Sequence, residues 1–262
     1  MKTVKNGPLI HCITNPISMM QCANTILGLG ARPIMAEHPK EVKEITATAK
    51  ALLLNLGNIS DSRMQAMEIA FEEALARDIP VVFDAVGVSC SGLRREFLLN
   101  LLGKRASDSF LVIKGNYSEI MALYDESYRS EGVDAREGTG KEEIAQAAKR
   151  LSECYKAVIL ASGAVDVITD GTETAYVENG CLELSMITGT GCMLGAVCGA
   201  LLAEKQDMDS VTKACMILGI AGEMAAEGDE VGAGTFLIRL LDNISLMTDE
   251  ILEVRKRLEI RR

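Results

Sequence analysis

Short apolar runs alternate with longer amphipathic stretches through the first part of the chain. Two of these runs are followed directly by a charged residue. Asp84 comes after Val81–Phe83, and Lys114 comes after Phe110–Ile113. The stretches between the runs have apolar residues at helical spacing. This rhythm predicts a three-layer α/β/α fold with a mostly parallel central sheet. The other predicted strands are Leu9–Ile13, Ala51–Leu54 and Ala157–Leu160, and a short apolar run lies at Pro33–Ala36. Helices are predicted from Ser18 to near Gly28 and Gly30, over Pro39–Lys50, from Asp61 to near Arg77, and over Lys141–Tyr155.

The pattern changes in the second part of the chain. Turns at Asp170-Gly171 and Asn179-Gly180 separate three strand-like runs, which is typical of β-hairpins. A glycine-rich turn then leads into a region that we expect to be helical over about Cys192–Arg261. The stretch Asp125–Gly140 is the most irregular, and we expect a surface loop there. Since no repeat or linker interrupts the chain, residues 1–262 are expected to form one domain. The strand-like runs are Val165–Thr169, Glu173–Val177 and Leu182–Ser185.

Charge and composition exclude several classes of partner. The chain has 37 acidic and 27 basic residues, and its net charge of −10 repels nucleic acid and anionic lipid. No apolar run approaches the ~18 residues of a membrane helix, so a membrane is not an expected partner either. The eight cysteines form no C-x-x-C pair and accompany only two histidines, so the spacing of a zinc site is absent. Scattered cysteines without a signal peptide indicate free thiols, and we expect a cytoplasmic protein.

The strongest single motif is Ile187–Gly195, which has the sequence ITGTGCMLG and opens a helix of small residues. Glycines let successive N–H groups point into one space, and the helix N-terminus adds its own, so the motif predicts a phosphate site. A tight turn before a helix is the structural alternative. A Walker A loop is excluded because no lysine follows the glycines. A Rossmann turn is excluded because Asp209, which has the right spacing from Gly189, lies in a polar connection between helices.

Cys192 stands at the start of this small-residue helix. A helix N-terminus lowers the pKa of a thiol, so we expect the Cys192 thiolate to be more available than that of an ordinary cysteine. A buried structural cysteine is the alternative, and it is the favoured interpretation for the other seven cysteines.

Charged residues at two strand ends form a second group of candidates. The carboxyl ends of parallel strands line the ligand crevice of an α/β sheet, so Lys114 predicts a contact to phosphate. Glu119, on the following helical turn, and Asp84, after its own strand, are candidate ligands of Mg²⁺, either directly or through water. The structural alternatives are a helix start in which Asn116 and Glu119 form a capping box, and a simple cap at Asp84.

Three weaker candidates also follow strands. Ser162 lies in a small-residue turn, where it is a candidate for contacting a nucleotide phosphate. A simple hairpin is the alternative interpretation of this turn. Asn15, after the first strand, is a candidate for orienting a ligand by hydrogen bonds, and Met35 is a candidate for an apolar wall. A turn residue and a core filler are the alternatives for these two.

Taken together, these segments resemble the hydroxyethylthiazole kinase family, the thiamine-salvage member of the ribokinase-like superfamily. No single segment is specific, but the ordered set spans nearly the whole chain. The segments that carry the resemblance are Pro8–Asn15, Ala23–Thr25, Gly30–Ala36, Asn55–Gly57, Phe83–Val86, Gly115–Ile120, Val165–Gly171 and Gly189–Cys192.

The resemblance implies a ribokinase-like, doubly wound fold and phosphorylation of the hydroxyl of 4-methyl-5-(2-hydroxyethyl)thiazole by ATP with Mg²⁺. It also implies a homotrimer with thiazole pockets at the subunit interfaces. Cys192 is the implied catalytic residue, because it stands where many superfamily relatives carry an aspartate that activates the acceptor hydroxyl. The other implied site residues are Met35, Gly189 and Asn15 for the thiazole, Lys114, Ser162 and Gly191 for ATP, and Asp84 and Glu119 for the metal.

The chain departs from the family pattern at three places. Arginine is usual where Lys114 stands, and lysine keeps the charge but loses the bidentate fork. Ser162 replaces a usual threonine and keeps the hydroxyl. The loop Asp84–Ser89 differs from the usual Asp-Pro-Val-Ala-Val-Gly.

Three other functions stay open at this point. A different small-alcohol kinase, such as a hydroxymethylpyrimidine kinase, would share the fold and differ in its acceptor. A hydro-lyase that repairs hydrated nicotinamide cofactors would also share the fold, but Cys192 in place of an acidic residue argues against it. A non-catalytic nucleotide-binding regulator is disfavoured because Asp84, Glu119 and Cys192 occur together.

Overall fold

A nine-stranded sheet forms the centre of the structure, a computed structural model that describes residues 3–105, 109–128, 140–228 and 230–261. In chain order the strands are β1 Leu9–Ile13, β2 Arg32–Ile34, β3 Ala51–Asn55, β4 Val81–Asp84, β5 Leu111–Asn116, β6 Val158–Ser162, β7 Asp166–Thr169, β8 Thr174–Val177 and β9 Leu258–Arg261. They lie side by side in the order β2-β1-β3-β4-β5-β6-β7-β8-β9. Neighbouring strands from β2 to β6 are parallel, while β7, β8 and β9 join by antiparallel pairs. The prediction of a mostly parallel sheet is confirmed.

Helices cover both faces of this sheet. Successive residues of a strand point to opposite faces, so Leu53 packs into one hydrophobic core and its neighbours Leu52 and Leu54 into the other. The predicted three-layer α/β/α arrangement is therefore confirmed. The helices of the first core, which contains Leu53, are α1 Met19–Leu29, α8 Thr190–Leu202, α9 Met208–Ala226, α10 Ala233–Leu246 and α11 Asp249–Arg255. The helices of the second core are α2 Val42–Thr48, α3 Asp61–Ala76, α4 Gly92–Gly103, α5 Tyr117–Tyr124 and α6 Lys141–Tyr155. A short helix, α7, spans Glu183–Met186.

The close packing of α8 on the sheet brings its N-terminus to the strand ends. A Cβ at Gly195 would lie 3.2 Å from Leu53, and one at Gly199 would lie 3.4 Å from Ile10. These two glycines therefore let α8 approach β1 and β3 more closely than larger residues would. As a result, the glycine-rich turn before α8 faces the carboxyl edge of the sheet.

Most local predictions for the parallel part are confirmed. β1 and α6 have the predicted bounds, and α3 begins at Asp61 with Ser60 as its N-cap. The predicted hairpin at Asp170-Gly171 joins β7 and β8, where Oδ1 of Asp170 accepts hydrogen bonds from the backbone N–H groups of Thr172 and Glu173. The sequence also predicts Ser18 as the N-cap of its helix, and α1 does begin directly after Ser18. The capping part of that prediction is wrong, because the Ser18 side chain makes no capping hydrogen bond.

Two predictions for the second half are wrong. The run Leu182–Ser185 is not a strand, because the short helix α7 begins at Glu183, so the turn at Asn179-Gly180 does not form the predicted hairpin. The region predicted to be helical up to Arg261 ends in the strand β9. β9 occupies the free edge of β8, so the chain after β8 has no edge left to pair with. Asn179 holds this arrangement together, since its Oδ1 accepts a hydrogen bond of 2.8 Å from the N–H of Arg257. Of the predicted loop Asp125–Gly140, residues 129–139 lie outside the described residues.

Candidate active site

The candidate site lies at the carboxyl edge of the sheet. β1 has β2 on one side and β3 on the other, so the direction in which the strands are added reverses at β1. In open α/β sheets, ligands bind in the crevice at such a reversal. Asn15 follows β1, and Asn55, Asp84 and Asn116 end β3, β4 and β5. The fold therefore gathers these polar side chains along one edge.

A buried ion pair joins two of the predicted site residues. The Lys114 ammonium lies 2.8 Å from Oδ1 of Asp84, and both side chains are shielded from solvent. Burial raises the pKa of Asp84, although the Lys114 charge and a hydrogen bond from Asn55 oppose the rise. Burial lowers the pKa of Lys114, but the carboxylates of Asp84 and Glu119 outweigh it, and the net pKa lies above the ordinary value. Each charge offsets part of the cost of burying the other, so the two groups stabilise each other.

The amide of Asn55 connects this pair to Cys192. Its Nδ2 donates to Oδ2 of Asp84 at 2.7 Å and to the Cys192 sulfur at 3.2 Å, while its Oδ1 accepts from the N–H of Gly57 at 2.8 Å. Asn55 is fully buried, so its orientation is set by these three bonds. Asn55 belongs to the segment Asn55–Gly57 that carries the family resemblance, but it was not among the predicted site residues. A polar residue that ends a wholly apolar strand was the available signal.

The environment of Cys192 contradicts the expected effect of the helix N-terminus. Burial and the nearby Asp84 charge raise the pKa of the Cys192 thiol, and hydrogen bonds from Ser18 and Asn55 together with the Lys114 charge only partly oppose this. Cys192 is therefore a neutral thiol at pH 7. The expected lowering of its pKa is wrong, because burial and a close carboxylate outweigh the helix end.

Two glycines bring the N-terminal end of α8 against Ser18 and the buried Lys114. Gly189 has φ +96°, a left-handed conformation that favours glycine, and a Cβ there would lie 2.7 Å from Cβ of Ser18. A Cβ at Gly191 would lie 3.8 Å from Nζ of Lys114. The predicted substrate residue Gly189 thus lies against Ser18, and the predicted ATP residue Gly191 lies against Lys114.

Glu119 is held by backbone N–H groups. Its Oε1 accepts from Gly87 at 2.8 Å and its Oε2 from Asn116 at 2.7 Å, and the side chain of Asn116 accepts in turn from the N–H of Glu119. The predicted capping box is confirmed. Burial and the Asp84 charge raise the pKa of Glu119 to about 7, although Lys114 and the two N–H groups oppose the rise.

These carboxylates fit Mg²⁺ better than they fit a metal with an all-protein shell. Among the described residues, no three His, Cys, Asp or Glu side chains are grouped as a metal site would require. Mg²⁺ usually keeps several waters and binds one or two carboxylates together with substrate phosphates. Asp84 and Glu119 repel each other, and a bound cation would relieve that repulsion.

A cavity of about 640 Å³ opens beside the cluster, within the roughly 300–1,000 Å³ of small-molecule sites. Its polar wall includes Ser162, Gly163, Asn116 and Gly191. Ser162 donates a hydrogen bond of 3.3 Å to the Gly115 carbonyl, which ties β6 to β5 at the rim. Ser162 and Gly191, predicted to bind ATP, therefore line one cavity, and Lys114 lies beneath its Gly191 wall.

Asp166 also lines this cavity and was not predicted as a site residue. Its Oδ1 accepts from the N–H of Gly163 at 3.0 Å, and burial raises its pKa to about 6. Asp166 begins β7, so the tight β6–β7 turn places it opposite Ser162. Its place in the cavity wall could not be predicted locally, because an aspartate in a hairpin is ordinary turn chemistry.

The predicted acceptor residues Asn15 and Met35 follow the neighbouring strands β1 and β2. Oδ1 of Asn15 accepts from the N–H of Ile17 at 3.1 Å, and Ser18 donates to the Asn15 carbonyl at 3.3 Å. Ser18 in turn contacts Gly189, so Asn15 is linked to the turn before α8. Met35 is partly buried against the first hydrophobic core.

Comparison with known proteins decides the family. The sequence model of the hydroxyethylthiazole kinase family matches residues 1–250. The chain belongs to this family. Hydroxyethylthiazole kinase 2 of Clostridium botulinum (strain 657 / Type Ba4) is 43% identical over 251 residues, which cover 94% of this chain and 92% of the relative. The solved structure of hydroxyethylthiazole kinase from Pyrococcus horikoshii OT3 has a TM-score of 0.89 and 31% identity, over 99% of this chain and 96% of that one.

More distant structures share the fold of the hydroxyethylthiazole kinase family. An ADP complex of Bacillus subtilis pyridoxal kinase has a TM-score of 0.61 at 17% identity, over 84% of this chain and 93% of that one. At that identity the likeness shows the fold alone, and it confirms the predicted ribokinase-like architecture. Within the described residues, no helix combines the length and the apolar character needed to cross a membrane.

Proposed function

We propose that this member of the hydroxyethylthiazole kinase family transfers the γ-phosphoryl group of ATP to the hydroxyl of 4-methyl-5-(2-hydroxyethyl)thiazole. The observation that carries the proposal is the buried cluster of Lys114, Asp84, Asn55 and Cys192 beneath the turn before α8. The cavity of Ser162 and Gly191 on one side is our proposed nucleotide site. The segment around Asn15 and Met35 on the other side is our proposed acceptor site.

In this mechanism the acceptor oxygen attacks the γ-phosphorus, the bond to the ADP oxygen breaks, and the hydroxyl proton passes to the Cys192 thiolate. The transition state is loose, so the proton leaves late and a minor thiolate fraction suffices. Asn55 holds the sulfur in place with its N–H. The N–H groups of the turn before α8 and the charge of Lys114 stabilise the transferring phosphoryl group.

Asp84 and Glu119 are the residues that would hold Mg²⁺, through water, because their oxygens already accept hydrogen bonds from the protein. When bound, the ion would neutralise charge on the phosphate oxygens. The Lys114 charge favours the ionised form of Asp84, which is the form that binds a cation.

An acceptor panel tests the reaction. ADP release should need Mg²⁺, and hydroxyethylthiazole should stimulate it more than hydroxymethylpyrimidine, pyridoxal or a sugar does. The measurement is coupled ADP release with and without each acceptor, with a Cys192→Ala variant as the control for contaminating kinases. Stimulation by the pyrimidine alcohol alone would replace the proposed acceptor, and ATP binding without turnover of any alcohol would indicate a regulator.

We also propose that the protein is a homotrimer and that residues 1–262 form one domain, in which all described strands join one sheet. Large apolar side chains are exposed on three neighbouring helices, α1, α10 and α7. Large apolar side chains exposed on neighbouring helices are typical of an oligomer interface. The exposed residues are Met20 and Leu27 on α1, Ile238 and Leu246 on α10, and Met186 on α7.

Light scattering tests this assembly. The wild type should have three times the 28.2 kDa of one chain. Met20→Glu combined with Leu27→Glu should yield monomers with a raised KM for the acceptor, because the resemblance implies pockets between subunits. Leu93→Glu is the matched control, since Leu93 is an exposed apolar residue on α4, which packs on the opposite face of the sheet. A wild type that is monomeric and fully active would refute the trimer.

The cytoplasm is our proposed location. All eight cysteines are free thiols, four of them fully buried. Disulfides form and persist in oxidising compartments, so a cysteine-rich chain without any is suited to a reducing one.

A further inference from the structure

We propose that Arg63 is a positioning residue that assembles the acceptor side of the site, with Glu37 as its link to the Met35 loop. Arg63 lies in the first turn of α3 and is 5% exposed. Its side chain donates to the carbonyl of Gly57 at 2.9 Å, to that of Asn58 at 2.7 Å and to that of Thr14. Its Nε forms an ion pair of 3.1 Å with Oε2 of Glu37.

These four partners come from three different segments at the carboxyl edge. Thr14 follows β1, Gly57 and Asn58 follow β3, and Glu37 lies three residues after the end of β2. The three strands are neighbours in the sheet, so one guanidinium fork reaches every loop on that side. Within the described residues, every hydrogen bond of the Arg63 side chain goes to these loops.

The same loops carry the proposed acceptor residues. Asn15 directly follows Thr14, and Met35 lies two residues before Glu37. A Cβ at Gly57 would lie 2.5 Å from Nδ2 of Asn15, so the Asn15 amide packs against the backbone segment that Arg63 holds. The role of Arg63 therefore rests on the proposed function, in which Asn15 and Met35 face the acceptor.

The physical chemistry of Arg63 explains why arginine is needed. Burial lowers the pKa of Arg63, and the Glu37 charge opposes this, so the guanidinium stays ionised with one carboxylate as its counter-charge. Its planar fork donates to several carbonyls at once, which a lysine ammonium cannot do over the same span. Asn58 has φ 54°, an uncommon conformation for a residue other than glycine, and the bond from Arg63 to its carbonyl helps to hold it.

The contacts of Glu37 and Arg63 give different expectations for substitution of each. Glu37→Gln keeps the carbonyl contacts of Arg63 and weakens only the tie to the Met35 loop. We expect its KM for the acceptor to rise about three- to tenfold, with kcat and the KM for ATP within about twofold, because the ion pair is partly exposed. Arg63→Lys loses the fork as well, and its KM for the acceptor should rise by about tenfold or more.

The matched control is Glu68→Gln. Glu68 is on α3, has the same 41% side-chain exposure as Glu37, and pairs with Lys104 at 3.5 Å, away from the three loops. This variant should change neither KM value. Equal changes of both KM values in Glu37→Gln, or no change in either, would overturn the positioning role even if Arg63→Lys fails to fold.

Amide hydrogen exchange supplies a readout that does not depend on turnover. In Glu37→Gln, exchange should become faster in residues 35–41 and stay unchanged in residues 114–119. If the wild type phosphorylates no thiazole alcohol, the proposed function fails, whereas the exchange result still tests the link. Unchanged exchange in residues 35–41 of a folded Glu37→Gln variant would refute the link itself.

Discussion

Replacing Cys192 with alanine will lower kcat by about 10²–10⁴-fold, the range of acid–base assistance, while both KM values change little. The sulfur is the proposed proton acceptor, whereas the backbone N–H groups of the turn before α8 survive the substitution. The measurement is steady-state kinetics for ATP and the thiazole alcohol, with thermal unfolding to show that the variant is folded. Cys192→Ser is the matched control, because it keeps the shape and the bond from Asn55 but cannot ionise near neutral pH.

Cys192→Asp should stay active, and its pH profile should differ from that of the wild type. Burial and Asp84 raise the pKa of Cys192, so the thiolate fraction and the wild-type kcat should still be rising with pH through the range from about pH 6 to about pH 9. A carboxylate has an ordinary pKa of about 3.9, far below that of a thiol, so at this position it ionises at lower pH even though the same burial raises its pKa, and Nδ2 of Asn55 can donate to it. Its profile should therefore lack that rise.

Two outcomes would contradict the role of Cys192. A Cys192→Ala variant with wild-type kcat would show that no proton passes to the sulfur. A Cys192→Asp variant that fails to fold, together with such an alanine variant, would indicate that Cys192 only packs the turn.

Replacing Lys114 with methionine will destabilise the fold by about 3–5 kcal/mol, since it leaves the Asp84 carboxylate buried without a cation. The pKa of Asp84 should rise further in this variant. The protonated carboxyl is then the form that the folded state favours, so the loss of stability is full above the raised pKa and shrinks as the pH falls. Thermal unfolding over a range of pH values measures this.

A double variant separates stability from catalysis at this ion pair. Adding Asp84→Asn to Lys114→Met removes the unpaired charge and should restore much of the stability, but not the activity. Lys114→Arg should remain folded and active, because it keeps the cation beside Asp84 and restores the residue that is usual in the family. Unchanged stability and unchanged ATP kinetics in Lys114→Met would remove Lys114 from the site.

The local pattern predicted the elements of the parallel half well. Strand β1 and helix α6 have their predicted bounds, and Asp84 and Lys114 end up at one edge because the carboxyl ends of parallel strands must meet there. The capping box of Asn116 and Glu119 was also predictable, since it involves residues three positions apart. The roles of Asn15, Met35 and the other site residues remain predictions.

The pattern of residues along the chain predicted the strand–helix order of the parallel half, the parallel sheet and the strand ends that carry polar groups, because each depends on neighbours within a few residues. Long-range contacts place β9 at the edge of β8, set Asn55 between Asp84 and Cys192, and let Arg63 join three loops. The surroundings of Cys192 in the fold also raise its pKa, whereas the helix N-terminus alone was expected to lower it. These features depend on contacts between residues far apart in the chain, where burial and the charge of a distant neighbour outweigh any local preference.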